Sequence, residues 1–287
     1  MNMREERWVT YGAWVVLVLI LTLQLFPIAW MVNTSLMTQL EAATGSLLPK
    51  TPRWENYLDI WRVLPFFHYL KNSLLVCSLT TLFALGIATL AGYALARFRF
   101  PGAELFGGSV LLTQVIPGIL FLIPIYIMYI AFQNWVRQAL GLEIRLVGTY
   151  PGLILTYTAF FVPISIWILR GFFASIPKEL EEAALVDGAT PFQAFRQVIL
   201  PLALPGIAAT AVYIFLTAWD ELLFAQILTN EATATIPVGI RNFVGNYQNR
   251  YDLVMAAATV ATLPVLVLFF LVQRWLIQGL TAGAVKG

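Results

Sequence analysis

Six long apolar runs, near positions 11–32, 72–95, 107–131, 151–170, 203–228 and 253–276, alternate along the chain with shorter polar stretches. Each is close to the roughly 20 residues that a helix needs to cross the hydrocarbon core of a bilayer. The pattern therefore predicts an all-α, polytopic membrane protein with six transmembrane helices in a single domain over 1–287. Trp8, Trp30, Tyr69, Tyr150 and Trp275 mark several ends, as aromatic side chains do at the water interface. The third and fifth runs exceed a straight crossing, so tilt or kinks are expected, with Pro117 and Pro124 the obvious places in the third.

Two connectors carry structure of their own. In the longest, 33–71, Pro49 and Pro52 precede Trp54, Tyr57, Trp61 and Leu64, which reads as a short helix lying on the membrane surface. The other is the polar loop 171–202. Pro177 suits a first helical turn, Glu179, Glu181 and Glu182 match the positive end of a helix dipole, and Asp187-Gly188 supplies a stop. Thr190, Pro191 and Gln193 then read as a capping box with proline at the first helical position, and Phe192, Phe195, Val198 and Ile199 share a face before Leu200-Pro201 ends the segment. Two short capped helices joined by a glycine, with the small pair Ala183 and Ala184 on the first, form a knob that another surface can approach closely.

The run Glu182-Ala183-Ala184, three residues, Gly188, nine residues, then Val198-Ile199-Leu200-Pro201 resembles the EAA loop of ABC importer permeases, with Val198 one methylene short of the family's isoleucine. Gly92-Tyr93-Ala94-Leu95-Ala96-Arg97-Phe98-Arg99-Phe100-Pro101-Gly102 looks like the turn after the second span in the carbohydrate, maltose-type branch, and Gln273 to Gly287 looks like its C-terminal tail. The resemblance covers nearly the whole chain. It implies a type I ABC importer (MetI-like) permease fold and a non-catalytic subunit forming half of the pore for a sugar, a di- or oligosaccharide. The implied partners are a homologous second permease, two ATPase subunits that bind ATP and Mg, an extracytoplasmic sugar-binding protein and the lipid bilayer. The implied location is the cell membrane, multi-pass, with both termini cytoplasmic. The expected ATPase-coupling residues are Glu182, Ala183, Ala184, Asp187, Gly188, Leu200 and Pro201. The cytoplasmic tail 277–287 would reach the ATPases through Gly283, Ala284, Val285, Lys286 and Gly287.

Composition agrees with a membrane chain: 60% hydrophobic, 11% charged, mean hydropathy +0.79. The net charge of +2 comes without any block of like charges and gives no footprint for nucleic acid. Lys and Arg divide nine against eight between the side holding both termini and the opposite side, so the positive-inside rule barely speaks and orientation rests on the resemblance. The first apolar run is too long for a signal peptide, lacks a small-residue cleavage site, and reads as a retained span. No Walker A or other glycine-rich phosphate cradle occurs, so ATP hydrolysis is not expected of this chain. One histidine, His68, and one cysteine, Cys77, cannot build a metal site by themselves or complete a Ser/His/Asp set, and no cofactor is expected.

Asp220 and Glu221 lie late in the fifth run, about 26 Å along from Ala203 at about 1.5 Å per residue. Two readings stay open: an interfacial pair, or lining of the pathway near an outer gate. Gln114, Thr158, Ser165, Thr210 and Thr217 could face a sugar, but such groups in spans more often bond neighbouring helices. The stretch Ile236 to Arg250 resembles in position and length the external loop by which maltose-type permeases reach their binding protein, beside the reading of an ordinary solvated connector. Rival readings are an ABC permease for amino acids, polyamines or anions, and an ion-coupled secondary transporter or channel acting alone. The tail favours the sugar branch, the lack of a buried basic residue tells mildly against anions, and the lack of an internal repeat tells against the secondary transporter.

Overall fold

Proline and glycine mark some ends of the long apolar helices, as at Pro151 and Gly141, while Pro27, Pro163 and Pro264 lie inside them. A computed structural model describes residues 3–246 and 250–284, with side chains from 10 to 244 and 250 to 275. The chain falls into two compact units, Met1–Phe66 with Ile240–Leu263, and Phe67–Gly239 with Pro264–Gly287. The described residues contain helices and no strand. They run α1 (Met3–Ser35), α2 (Gln39–Thr44), α3 (Asn56–Val63), α4 (Phe66–Arg97), α5 (Ala103–Leu112), α6 (Leu122–Leu140), α7 (Tyr150–Ser175), α8 (Glu179–Val186), α9 (Pro191–Ala194), α10 (Leu200–Leu202), α11 (Leu204–Trp219), α12 (Leu223–Leu228), α13 (Ile236–Asn246) and α14 (Tyr251–Ala284). Among them five stretches are long and apolar enough to cross a membrane: Thr10–Ser35, Phe66–Arg97, Gly118–Leu140, Tyr150–Ser175 and Tyr251–Trp275. A sixth exists if the bent pair Pro191–Leu202 and Leu204–Trp219 counts as one.

In the first unit, α1 is apolar all round and exposed from Thr10 through Ala29, as a helix surrounded by lipid can be. The connector beyond it is tied by Asn56, whose buried amide donates to the carbonyls of Ser35 and Met37 at 2.8 Å each. α3 is the expected surface helix: Ile60 is buried, while Trp54 just before it and Leu58 and Trp61 within it stay exposed. Thr38 and Glu41 form a capping box that starts α2, and Glu41 also accepts from the backbone N–H of Lys50.

In the second unit two expectations change. The third apolar run is not one helix over 107–131. α5 ends at Leu112, a 3₁₀ turn spans Gly118–Phe121, and α6 continues to Leu140. Pro117 disfavours helical backbone at Ile116 and has no N–H to donate, so it stops the helix; Pro124 falls in the first turn of α6, where a missing N–H costs nothing. The fifth run likewise is not continuous over 203–228. α11 stops at Trp219 and α12 begins afresh at Leu223. Glu221 enforces the break: its carboxylate accepts from the N–H groups of Phe224 and Ala225 (3.0 and 3.1 Å) and from the Tyr157 hydroxyl at 2.6 Å. The stretch after Ile236 is also helical, as α13, with Ile236, Val238 and Phe243 buried; Tyr247, Gln248 and Asn249 lie outside the described residues.

Candidate coupling site

The polar elbow begins later than expected: α7 runs through Ser175, so helix covers the first part of the anticipated loop 171–202. Pro177 sits before α8, whose N-cap position is Lys178, rather than inside its first turn. Glu179, Glu181 and Glu182 do occupy that first turn. α8 closes in a Schellman arrangement, with Gly188 N–H on the Leu185 carbonyl (3.1 Å) and Ala189 N–H on that of Ala184 (3.0 Å). Gly188 takes φ +90°, a left-handed conformation costing a side-chain-bearing residue roughly 1–2 kcal/mol. Thr190 then caps α9 with Gln193 in the reciprocal box, and Pro191 holds the first helical position.

The chain next does what its pattern did not disclose. Phe195–Ile199 form a π-turn, with the Leu200 N–H reaching back to the Phe195 carbonyl. Pro201 and Pro205 flank Ala203, and the two halves bend by 72°. Proline supplies no N–H and crowds the preceding turn, which accounts for a sharp bend at this place. Leu200-Pro201, with Leu202, thus form the last helical turn before the bend, the segment end expected of them. Gly206 permits close packing just beyond: a Cβ there would land on the Phe172 ring of α7.

Beneath the elbow lies an apolar core of Ala88, Tyr93, Ile166, Leu169, Phe173, Ile176, Phe195, Ile199 and Ala203. Gly92 brings α4 against α7 within it, since a Cβ would meet Leu169 Cβ and Arg170 N at 3.1 Å. The Gly92 to Arg97 stretch is therefore the last turns of α4, and the turn itself follows at Gly102, φ +88°. Tyr93 packs on Phe195 (centroids 4.5 Å apart) and Phe173 (5.6 Å) while its hydroxyl donates to Glu181 of α8. Arg97 places Nε 3.1 Å from Glu181 Oε2 and donates from a terminal nitrogen to the Ile176 carbonyl at 2.9 Å. The Nε–H is not aligned with the carboxylate, so that contact is Coulombic. With side chains only 4% and 16% exposed, Arg97 and Glu181 are screened far less than a surface pair. α8 is pinned to α4 through one carboxylate.

Of the anticipated coupling residues, Glu182, Ala183, Asp187, Gly188 and Pro201 are exposed, and Ala184 and Leu200 half-buried. Two apolar side chains stand out into solvent beside them, Val186 (87% exposed) and Phe192 (66%). Sequence reasoning missed Tyr93 and Arg97 as partners of Glu181; the arginine in the last turn of a span, facing a glutamate-rich loop, was the only available signal. Gly283 and Ala284 fall at the end of α14, without described side chains, and Val285, Lys286 and Gly287 lie outside the described residues. Asp220 is exposed at the C-cap of α11, whereas Glu221 is engaged as described. Ser165, Thr210 and Thr217 spend their hydroxyls on the carbonyl four residues back in their own helices, not on neighbouring helices. Gln114 reaches the Phe160 carbonyl at 3.4 Å, and the buried Thr158 hydroxyl has no partner.

Comparison with known proteins adds to this geometry. The trehalose transport system permease protein SugB of Mycobacterium tuberculosis is 40% identical over 278 residues, 96% of this chain and 97% of that protein. The diacetylchitobiose uptake system permease protein DasC of Streptomyces coelicolor is 37% identical over 91% of this chain and 92% of its own. The maltose/maltodextrin permease protein MalG of Escherichia coli is 33% identical over 94% of each. Among solved structures, a chain of a bacterial ABC transporter that imports the acidic polysaccharide alginate superposes with a TM-score of 0.75, covering 96% of this chain and 99% of that one at 22% identity, a likeness of fold alone. A family model described as the inner membrane component of binding-protein-dependent transport systems matches residues 85–282, which include the whole elbow and its core. This chain belongs to that family of inner membrane transport components.

Proposed function

We propose that this chain is a permease subunit of an ATP-driven importer for a di- or oligosaccharide, and that α8 with its glycine turn and α9 is the part an ATPase subunit grips. One observation carries the reading: the elbow offers Val186 and Phe192 outward while Glu181 fastens it inward to α4. A knob that is sticky outside and pinned inside passes movement on. The chain itself is non-catalytic; ATP and Mg belong to two ATPase subunits, and a homologous second permease supplies the other half of the pore. Both termini and the elbow face the cytoplasm, and an extracytoplasmic binding protein delivers the sugar. The helical tail through Gly283 and Ala284 and the residues beyond it extend the contact with the ATPases. The sugar class is supported by relatives named for trehalose, diacetylchitobiose and maltose.

Mechanically, closure of the ATPase dimer on ATP moves α8, and the core below it carries the movement into α4, α7 and the hinge before α11. Nucleotide shifts the balance between inward and outward access only by its differential affinity for the two arrangements, so the elbow stays docked in both. Asp220, exposed beyond the far end of α11, is the one acid of its pair left free to line the pathway. Val186→Asp tests the grip, because a side chain 87% exposed has little to do with folding. The variant is expected to insert normally, lose co-purification with the ATPase and lose uptake. Wild-type co-purification and uptake would refute the proposal.

A further inference from the structure

At the end of α4 next to the elbow, but outside its core, lies an open cavity of about 680 Å³ lined by Leu95, Phe98, Arg99, Phe100, Gly102, Ala103, Glu104, Leu105 and Arg170. Its lining combines two arginines with several apolar side chains. Arg170 lies about 7.5 Å, at about 1.5 Å per residue, before the end of the membrane-length helix α7, and Arg99 follows the end of α4 by two residues. Both arginines thus stand near the ends of membrane-length helices, where headgroups meet a span. Among the described residues neither arginine forms an ion pair; Arg170 instead sits over the Trp167 ring, 4.7 Å from its centroid. Phe98, Phe100 and Leu105 are exposed around them, an apolar rim for an acyl chain. Gly102 opens α5 without a side-chain cap, which adds the positive end of that ten-residue helix. Glu104 is the single opposing charge.

We infer that this cavity holds the phosphate headgroup of an anionic phospholipid between Arg99 and Arg170, with its chain along Phe98, Phe100 and Leu105. Two unpaired cations facing one cavity at the membrane surface complement a phosphodiester, and bulk water alone gives the aromatic rim no partner. A bound lipid here would brace the turn that leads out of α4, the helix to which the elbow is pinned. The inference depends on membership of the membrane family and not on which solute is carried.

The test is native mass spectrometry of the full-length chain in mild detergent, titrated with phosphatidylglycerol, with phosphatidylcholine, and with glycerol 3-phosphate as competitor. Wild type is expected to retain phosphatidylglycerol and not phosphatidylcholine. Arg99→Gln should weaken retention about fivefold, and the double variant with Arg170→Gln about 25-fold, each surface cation contributing about that factor. Glu104→Gln should strengthen it. The Arg137→Gln/Arg145→Gln pair, which lines a separate polar cavity with Glu143, should change nothing. Arg99 is exposed, so its single variant reports without threatening the fold. Equal retention of both lipids, or of phosphatidylglycerol by wild type and Arg99→Gln, would overturn the inference. Displacement by millimolar glycerol 3-phosphate would reassign the cavity to a soluble phosphate.

Discussion

Glu181 shows how much one side chain can hold. Its carboxylate accepts the Tyr93 hydroxyl and faces Arg97, across 88 and 84 positions of sequence, in a setting mostly shut off from water. Removing one partner of a buried pair typically costs about 3–5 kcal/mol, and the residual exposure of Glu181 puts Arg97→Ala near the lower figure. Glu181→Gln probes function more cleanly, since an amide oxygen still accepts the Tyr93 hydroxyl while the charge facing Arg97 is removed. The expected outcome is an ATPase that still co-purifies and hydrolyses ATP while sugar uptake per ATP falls severalfold. Equal loss of binding and uptake would mean the joint merely keeps α8 folded. A second residue-scale prediction concerns Glu41. Backbone hydrogen bonds from Thr38 and Lys50 hold its carboxyl below the usual glutamate range. A lowered folded pKa adds stability that is present above the ordinary value and lost as pH falls through the lowered one. Protection of the Thr38 and Lys50 amides, measured as exchange relative to the intrinsic rate at each pH, should therefore hold at neutral pH and fall only at acid pH, and Glu41→Gln should flatten that dependence.

Among the elements, α8 and α9 were legible in the sequence because capping is local chemistry. Thr190, Pro191, Gln193 and Gly188 act within a few residues of themselves, and each does what its spacing implies. Gly188→Val, forced into φ +90°, should destabilise the turn by about 1–2 kcal/mol and lower uptake while leaving membrane insertion intact, measured by membrane fractionation beside transport. Four of the apolar runs, the first, second, fourth and sixth, were equally legible as stretches able to cross a bilayer, since the test needs only length and hydropathy. Where the third and fifth break was not. Pro117 and Pro124 look alike in a list of residues, yet one ends a helix and the other starts one, and only the position of the hydrogen-bond ladder distinguishes them. Glu221 was weighed as an ionisable group in a span, with its cost in lipid as the question. Its two backbone partners in α12 and the Tyr157 hydroxyl, 64 residues away, turn it into the reason the run is interrupted. The π-turn at Phe195–Ile199 and the 72° bend left no pattern that a hydrophobic period could reveal.

For the molecule as a whole, sidedness is what charge could not supply, since Lys and Arg divide almost evenly between the two faces. The proposed mechanism is nonetheless strict about it: the elbow has to share a compartment with nucleotide. The chain is well suited to a direct measurement, because its single cysteine, Cys77, is 1% exposed and gives a silent background once replaced by serine. Val186→Cys reports the elbow and Trp54→Cys the connector before α3; both positions are exposed and neither packs a core. In intact cells, a membrane-impermeant maleimide should label Trp54→Cys and spare Val186→Cys, whereas inside-out vesicles should reverse the order. Adding the ATPase to those vesicles should then protect Val186→Cys and leave the pattern at Trp54→Cys unchanged. An elbow labelled from outside the cell would separate it from any ATP-driven motor, and an elbow labelled from inside but never protected would leave the family's machinery coupled through some other surface.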